Sequence, residues 1–447
     1  MKGLRSTVAL LAVLIGLGAY IYFTGVTPTS ESTKNEKVFP GLESAKVEEL
    51  TVKSESGDRT ALKKTDGAWS LVSPVTAAAN DTNAVGIANV LGDVDVVRVV
   101  EENPASLKDY GLDAPQLEIG FKADGGKMAG TLLIGSKTAT GGNMYARRDG
   151  QTRVILVGQY HEASLNKSTF DLRDKHIVKL DRAKIDGITV SVGGKTGELA
   201  KSGDEWKMTA PMTARADNSA VDGLFASVDG LEMTSVASTA PTPDELKAFG
   251  FDKPQASVTL RAGTDRKTLT VGGKGAAGVY VRDDSKPDVF TIEESSAIDF
   301  TKVPEDYRRR EMFDMRAFTA TRVELVRQGA APVVFERVKA GEEGKPDAWK
   351  RTAPTAGDPD RSKVETLIAG LADIRATAFQ NSTARTGLDS PTLTVIAKFD
   401  EGKKEERVTL GQSGTAAFAA RPDDPGAATI EAEKLAETLK ALDELAK

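Results

Sequence analysis

Apolar and polar positions along this chain recur three times in one order. Leu50-Thr-Val52 leads through an Asp66-Gly67 turn to Trp69-Ser-Leu-Val-Ser-Pro74, and Ile188-Thr-Val190 leads by way of Gly203-Asp204 to Trp206-Lys-Met-Thr-Ala-Pro211. Val323-Glu-Leu325 reaches Trp349-Lys-Arg-Thr-Ala-Pro354 across a longer charged loop, Gly341 to Asp347. Short β-rich runs parted by Gly and Asp predict hairpins. The copies use all three tryptophans, and they begin 137 and 143 residues apart. Self-similarity at such a period divides the chain into tandem homologous units.

After each proline the apolar period lengthens to that of a helix. Ile87, Val90, Leu91 and Val94 form one stripe, Val221, Leu224, Phe225 and Val228 a second, and Val364, Leu367, Ile368 and Leu371 a third. The i, i+3, i+4, i+7 spacing predicts a helix with one buried face in each unit. Asn83, Asp217 and Asp360 stand ahead of these stripes and are the expected N-caps, because their side-chain oxygens can accept a free first-turn N–H. In this register repeat one has three extra residues between its tryptophan and its helix, an insertion expected in a loop.

A third landmark is Tyr110-Gly-Leu-Asp-Ala-Pro115, Phe249-Gly-Phe-Asp-Lys-Pro254 and Thr386-Gly-Leu-Asp-Ser-Pro391. Gly111, Gly250 and Gly387 are read as residues just past a short helix, where a left-handed backbone favours glycine. Leu112 is expected to fold back on Leu107 and Phe251 on Leu246. Repeat three offers only Thr383, so its cap is expected to be weaker. Each unit closes on alternating strands: Leu132 to Gly135 with Met144 to Arg147, Leu269 to Gly272 with Val279 to Arg282, and Val408 to Gly411 with Ala417 to Arg421. Further strands are expected at Val154 to Val157 and Val289 to Ile292, and an amphipathic helix at Ile430 to Leu445.

The fold class that follows is α+β: one N-terminal transmembrane helix, then three tandem homologous domains, each mostly antiparallel sheet with one amphipathic and one short helix. The expected divisions are a cytoplasmic tip and anchor at 1–23, a flexible stalk at 24–46, repeat one at 47–160, a connector at 161–183, repeat two at 184–297, a connector at 298–320, and repeat three with its terminal helix at 321–447. Phe170, Arg173 and Asp174 in the first connector match Tyr307, Arg310 and Glu311 in the second. Such segments are expected to brace adjoining domains through exposed or partly exposed ion pairs; a partner-docking site is the sharper alternative.

The membrane assignment rests on Thr7 to Phe23, an uncharged run preceded by Lys2 and Arg5. As a helix it would span roughly 25 Å, near the thickness of a hydrocarbon core once its flanks are counted. It is a short anchor or a signal peptide. Its ending on Tyr20-Ile21-Tyr22-Phe23 favours the anchor, since cleavage needs small residues and interfacial aromatics suit a membrane boundary. Positive charge ahead of the run places that end in the cytoplasm and the bulk of the chain outside it, in the periplasm of a bacterial inner membrane.

Composition narrows the chemistry. The formal charge is −6 over the 447 residues, about −8 beyond the anchor, which argues against general nucleic-acid binding. Without cysteine there is no disulfide, thiolate nucleophile or Cys-based metal site, and His161 and His176 alone remain for histidine chemistry. Fifteen residues apart and without counterparts in the other repeats, they do not suggest a metal pair. Gly273-Lys-Gly275-Ala-Ala-Gly278 fits the dinucleotide fingerprint by letter, but a strand follows where a helix must hold the pyrophosphate. Gly194-Lys195-Thr196 likewise reads as a turn between strands. Asp113, Asp252 and Asp389 are equivalent acids at Gly-x-Asp turns, read as turn chemistry with a lesser binding alternative. The tryptophans read as core anchors rather than ligand platforms. No catalytic residue, cofactor or metal site is expected.

The order W-x4-P, amphipathic helix, Y/F-G-L/F-D-x-P, L-x-V-G and a Tyr-Ala-Arg-like strand resembles the bacterial domain-of-unknown-function family numbered 4340, over most of the chain outside the anchor. Repeat three departs at Thr386 and at Ala417 to Ala420. The resemblance implies a single-pass envelope protein, with ABC-type permease or gliding-like auxiliary proteins as possible partners, and it supplies no catalytic residues. The expectation is therefore a non-enzymatic, membrane-anchored periplasmic binding or scaffolding component. A carboxylate-dependent envelope hydrolase and a mechanical spacer stand as alternatives.

Overall fold

The computed structural model describes residues 36–340 and 346–446. The predicted anchor at 7–23, the first half of the stalk and part of the Gly341 to Asp347 loop lie outside the described residues. Among those described, no helix is long and apolar enough to cross a membrane. The chain forms two compact units that divide between Lys175 and His176. The first holds one sheet of nine strands, and the second holds a nine-stranded and an eight-stranded sheet.

In repeat one the sheet runs from edge to edge as Ala77–Ala78, Ala68–Ser73, Arg59–Thr65, Val47–Lys53, Leu117–Ala123, Met128–Lys137, Asn143–Arg148, Val154–Gly158 and Arg98–Glu101. Every neighbouring pair is antiparallel. The first four strands meander outward from the centre, the helix Asp81–Asp93 crosses over, and the remaining strands return from the far edge and the centre. Repeat two keeps this order, with Gly187–Val192 and Ala256–Ala262 paired at its centre and Asn218–Asp229 as its helix. Repeat three lacks the two-residue edge strand, its place marked by an isolated bridge between Arg351 and Gly357.

Alternation decides which sheet face is buried. Leu50 and Val52 face the helix and are buried, while Glu49, Thr51 and Lys53 face the other way. Trp69, Trp206 and Trp349 are all buried at 7% exposure or less, as expected of core anchors. The peptide bonds before Pro74, Pro211 and Pro354 are all cis.

The helix register differs from the one expected. Asn80, not Asn83, caps the first helix: its side chain accepts from the Asn83 backbone N–H, whereas the Asn83 amide donates to the Asp171 carbonyl. Asp217 and Asp360 cap the other two as expected. Trp to N-cap is eleven residues in all three copies, so no insertion exists. The true first stripe is Ala84, Ile87, Ala88 and Leu91. Two alanines in it mask the register, and Val94 extends the apolar period although it is the C-cap. The Asp81 carboxylate and the Asn218 amide each accept from the backbone N–H of their repeat's tryptophan, at 2.9 and 3.0 Å.

Four further expectations are corrected. The stalk ends sooner: Val38, Phe39 and Leu42 lie in the first core, and Phe39 packs edge-on against Phe121 with centroids 4.9 Å apart. The short helix before the Gly-x-Asp turn is Pro243–Ala248 in repeat two, only a 3-10 turn at Lys108–Tyr110 in repeat one, and absent from repeat three. Leu112 and Phe251 do fold back, their N–H groups donating to Leu107 and Leu246. Ile430 ends a strand, and the terminal helix is Ala432–Ala446, which buries Leu435, Leu442 and Leu445 in the core of repeat three. Finally, the connectors align two residues away from the expected match. Asn80 and Asp217 donate to the carbonyls of Leu172 and Tyr307, so Arg173 corresponds to Arg308 rather than Arg310.

Candidate functional site: recurring troughs on the open sheet faces

With a helix on one face of each sheet, the other face is free to carry a site. In repeat one it holds a trough of about 610 Å³, bordered by the Leu112-Asp113-Ala-Pro115 turn. In repeat two it holds one of about 500 Å³, bordered by Phe251-Asp252-Lys-Pro254. The framework is shared. Leu133 pairs across the sheet with Arg147 and Thr270 with Arg282, and Asp149 and Asp284 follow two residues beyond each arginine. The exposed Asp113 and Asp252 line their troughs, which gives the lesser, binding reading of the Gly-x-Asp acids a geometric place. Asp389, in repeat three, is exposed.

The linings differ. Lys53, Arg59 and Glu118 of repeat one form a cluster, with Glu118 bonded to Lys53 at 2.8 Å and to Arg59 at 3.2 Å. Burial alone would raise the Glu118 pKa, but the two cations outweigh it and hold it below the usual carboxylate value. The corresponding residues of repeat two are the neutral Ser191, Thr196 and Ser257, placed by equivalent pairings. Gly120 lines an adjoining hollow of about 420 Å³ in repeat one; a Cβ there would meet the Thr51 hydroxyl at 2.3 Å. Thr259 fills that position in repeat two and bonds Thr268.

Repeat three diverges by one residue of phase. Thr409 pairs with Ala420, so Ala420 occupies the trough-facing arginine position and Arg421 points to the opposite face. A one-residue slip transfers a side chain across the sheet. Arg421 there becomes the centre of an ion network joining repeats two and three. It bonds Glu406 at 2.7 Å, Asp423 at 2.8 Å and Asp314 at 3.3 Å. Asp314 also binds Arg215 and Arg309, and Asp424 binds Arg215 and Arg308. Arg308 stacks over Phe379 at 3.8 Å. Burial lowers the Arg308 pKa, partly offset by Asp424. The second connector thus braces its domains through partly exposed pairs, as between Arg309 and Asp314, and also through buried ones, as between Arg308 and Asp424.

The other sequence candidates fall outside these troughs. His161 is buried, and His176 meets Glu232 at 4.0 Å in the second unit. Gly275 and Gly278 bound a hairpin loop between two strands, and Gly193 and Gly194 form a turn with positive φ. Among the described residues, no group of three His, Asp or Glu is placed to hold a metal ion. Sequence reading missed Arg147, Arg282 and their partners as site residues. Their signal was an R-x-D spacing that recurs in all three repeats, at Arg147 and Asp149, Arg282 and Asp284, and Arg421 and Asp423, with only strand pairing setting the third apart.

These features define a class: tandem-repeat α+β proteins in which helices cover one face of each antiparallel sheet, one in repeats one and two and two in repeat three. The chain belongs to the family described as Domain of unknown function (DUF4340), whose profile matches residues 69–207 and 206–391. Both segments begin at a repeat tryptophan. No curated protein matches the chain. Among solved structures, it is similar to a DNA polymerase sliding clamp from Pseudomonas aeruginosa bound to ligand, at 9% identity and a TM-score of 0.17, over 89% of this chain and 93% of that one. At that score the likeness carries no argument.

Proposed function

We propose that the protein is a non-enzymatic binding or scaffolding component of a bacterial envelope complex, held at the inner membrane by residues 7–23 with its repeats in the periplasm. The observation that supports this reading most is the trough built twice on one framework with different linings. Duplicated surfaces that vary in side chain while keeping their geometry suit recognition. The carboxylate best placed in the first trough, Glu118, is neutralised by Lys53 and Arg59, so the hydrolase alternative gains nothing from it. An accessory role beside an ABC-type permease follows from the family resemblance alone.

The test is crosslinking and affinity capture of the full-length protein from detergent-solubilised membranes, with a chain lacking residues 1–23 as control. Recovery of permease or auxiliary subunits, weakened in the control, supports the complex. Recovery of the protein alone in both forms overturns it.

A further inference from the structure

The two troughs differ at one atom whose environment points to a ligand. In repeat two the Arg282 Nε–H donates to Asp284 at 2.7 Å, and that carboxylate is held in place by the Thr270 hydroxyl at 3.1 Å. Repeat one has Leu133 where repeat two has Thr270, so Asp149 has no hydroxyl to hold it over the guanidinium. Arg147 instead turns Nη1 to the Gln151 carbonyl at 3.3 Å, and its Nε is buried without a hydrogen-bond partner among the described residues. A buried, unmet N–H on a charged group is costly. In repeat two a carboxylate of the chain itself meets that need; in repeat one none of the described residues does.

We propose that the trough of repeat one binds a small carboxylate ligand that also carries hydroxyl or ammonium donors. Its carboxylate takes the Nε edge of Arg147, which offers donors in a fixed planar fork. Its donors face Asp113 and Asp149, two exposed acids lining the same trough. The volume of about 610 Å³ falls in the range of small-molecule sites. Glu118 takes up Lys53 and the two Arg59 Nη donors that face it, whereas the Arg147 Nε has no hydrogen-bond partner among the described residues. A sugar acid and an amino acid both present this chemistry. The proposal deepens the binding part of the functional reading and rests on it, but needs no particular envelope partner.

The experiment is calorimetric titration of the full-length protein in detergent with galacturonate, glutamate and acetate. Galacturonate or glutamate is expected to bind at one site per chain, more tightly than acetate, and whichever binds names the source. Arg147→Ala is expected to weaken binding about tenfold or more, the size of one charge-assisted hydrogen bond. Leu133→Thr, which supplies the hydroxyl that recruits Asp149, is expected to weaken it likewise while Arg147 stays in place. Asp284→Ala, which frees Arg282, is expected to raise the stoichiometry from one to two. Absence of binding by both galacturonate and glutamate, or binding unchanged by both repeat-one substitutions, overturns the proposal. Capture of membrane partners by the Arg147→Ala protein is read separately, so the envelope reading and the ligand site fail independently.

Discussion

Arg421 and Glu406 meet at 2.7 Å where repeats two and three join, with side chains only 5% and 2% exposed. Glu406 also accepts from the backbone N–H groups of Asp314 and Met315 at 2.8 and 2.9 Å, so one carboxylate fixes both the arginine and the connector. Removing one partner of such a pair leaves a buried charge uncompensated, at a cost of about 3–5 kcal/mol. Glu406→Ala should lower the urea midpoint of the second unit accordingly, with an unchanged denaturant slope. Glu406→Ala with Arg421→Ala should cost less than the sum of the two single changes. An unaltered midpoint in Glu406→Ala would show that the network contributes nothing to stability.

The packing of Phe39 makes a second prediction. Its ring is 1% exposed, lies against Phe121, and has the Arg148 guanidinium 5.2 Å from its centroid. Phe39→Ala should destabilise the first unit by about 3–5 kcal/mol. A chain shortened to residue 36 should keep the unfolding midpoint of the first unit, whereas one shortened to residue 47 should lose it. Equal midpoints for the two shortened chains would mean that 36–46 is linker after all.

Much of the architecture was legible because it is written three times. The tryptophan spacing, the 3.6 period and the Gly-x-Asp turns each mark an element in the sequence alone. What escaped has a physical cause in each case. Ala84 and Ala88 are core residues with too little apolar surface to mark a stripe. Phe39 stands in a polar stretch and is recruited by contacts far away in sequence. Arg421 looks like the partner of Arg147 by letter, yet one residue of phase sends it through the sheet, and only strand pairing records that. The troughs depend on Thr270 against Leu133, a difference that reads as a neutral strand substitution until the neighbouring acid is seen.

Tyr307 sets an alkaline limit on the second unit. Burial, with smaller contributions from Asp306 and Asp299, pushes its phenol up to about 12. In the unfolded chain it ionises near 10. The raised value means that stability is fully present below about pH 10 and is lost as pH rises toward about 12, since the unfolded state sheds its proton first. The loss is on the order of 2–3 kcal/mol at completion. Tyr307→Phe should flatten this part of the profile relative to the unaltered protein, measured by denaturant midpoints from pH 9 to pH 11.5. Parallel profiles for the two proteins would refute the assignment.

His161 sets the corresponding limit on the acid side of the first unit. It is 9% exposed, its ring lies 4.1 Å from that of Tyr160, and burial lowers its pKa. Asp95 and Asp93 pull the value back up, and Lys37, paired with Asp95 at 3.1 Å, pushes it down. Burial wins, so the folded state holds the imidazole neutral at pH values where the unfolded chain, titrating near 6.5, already binds a proton. The sign follows: stability contributed by the neutral ring is present above about pH 6.5 and falls away as pH drops toward the folded value. Denaturant midpoints of the first unit at pH 7.5 and 5.5 should therefore differ, and His161→Gln should narrow that difference. Titration of the His161 ring signals by NMR provides the direct check, because a midpoint at or above 6.5 in the folded protein would reverse the sign and remove the effect.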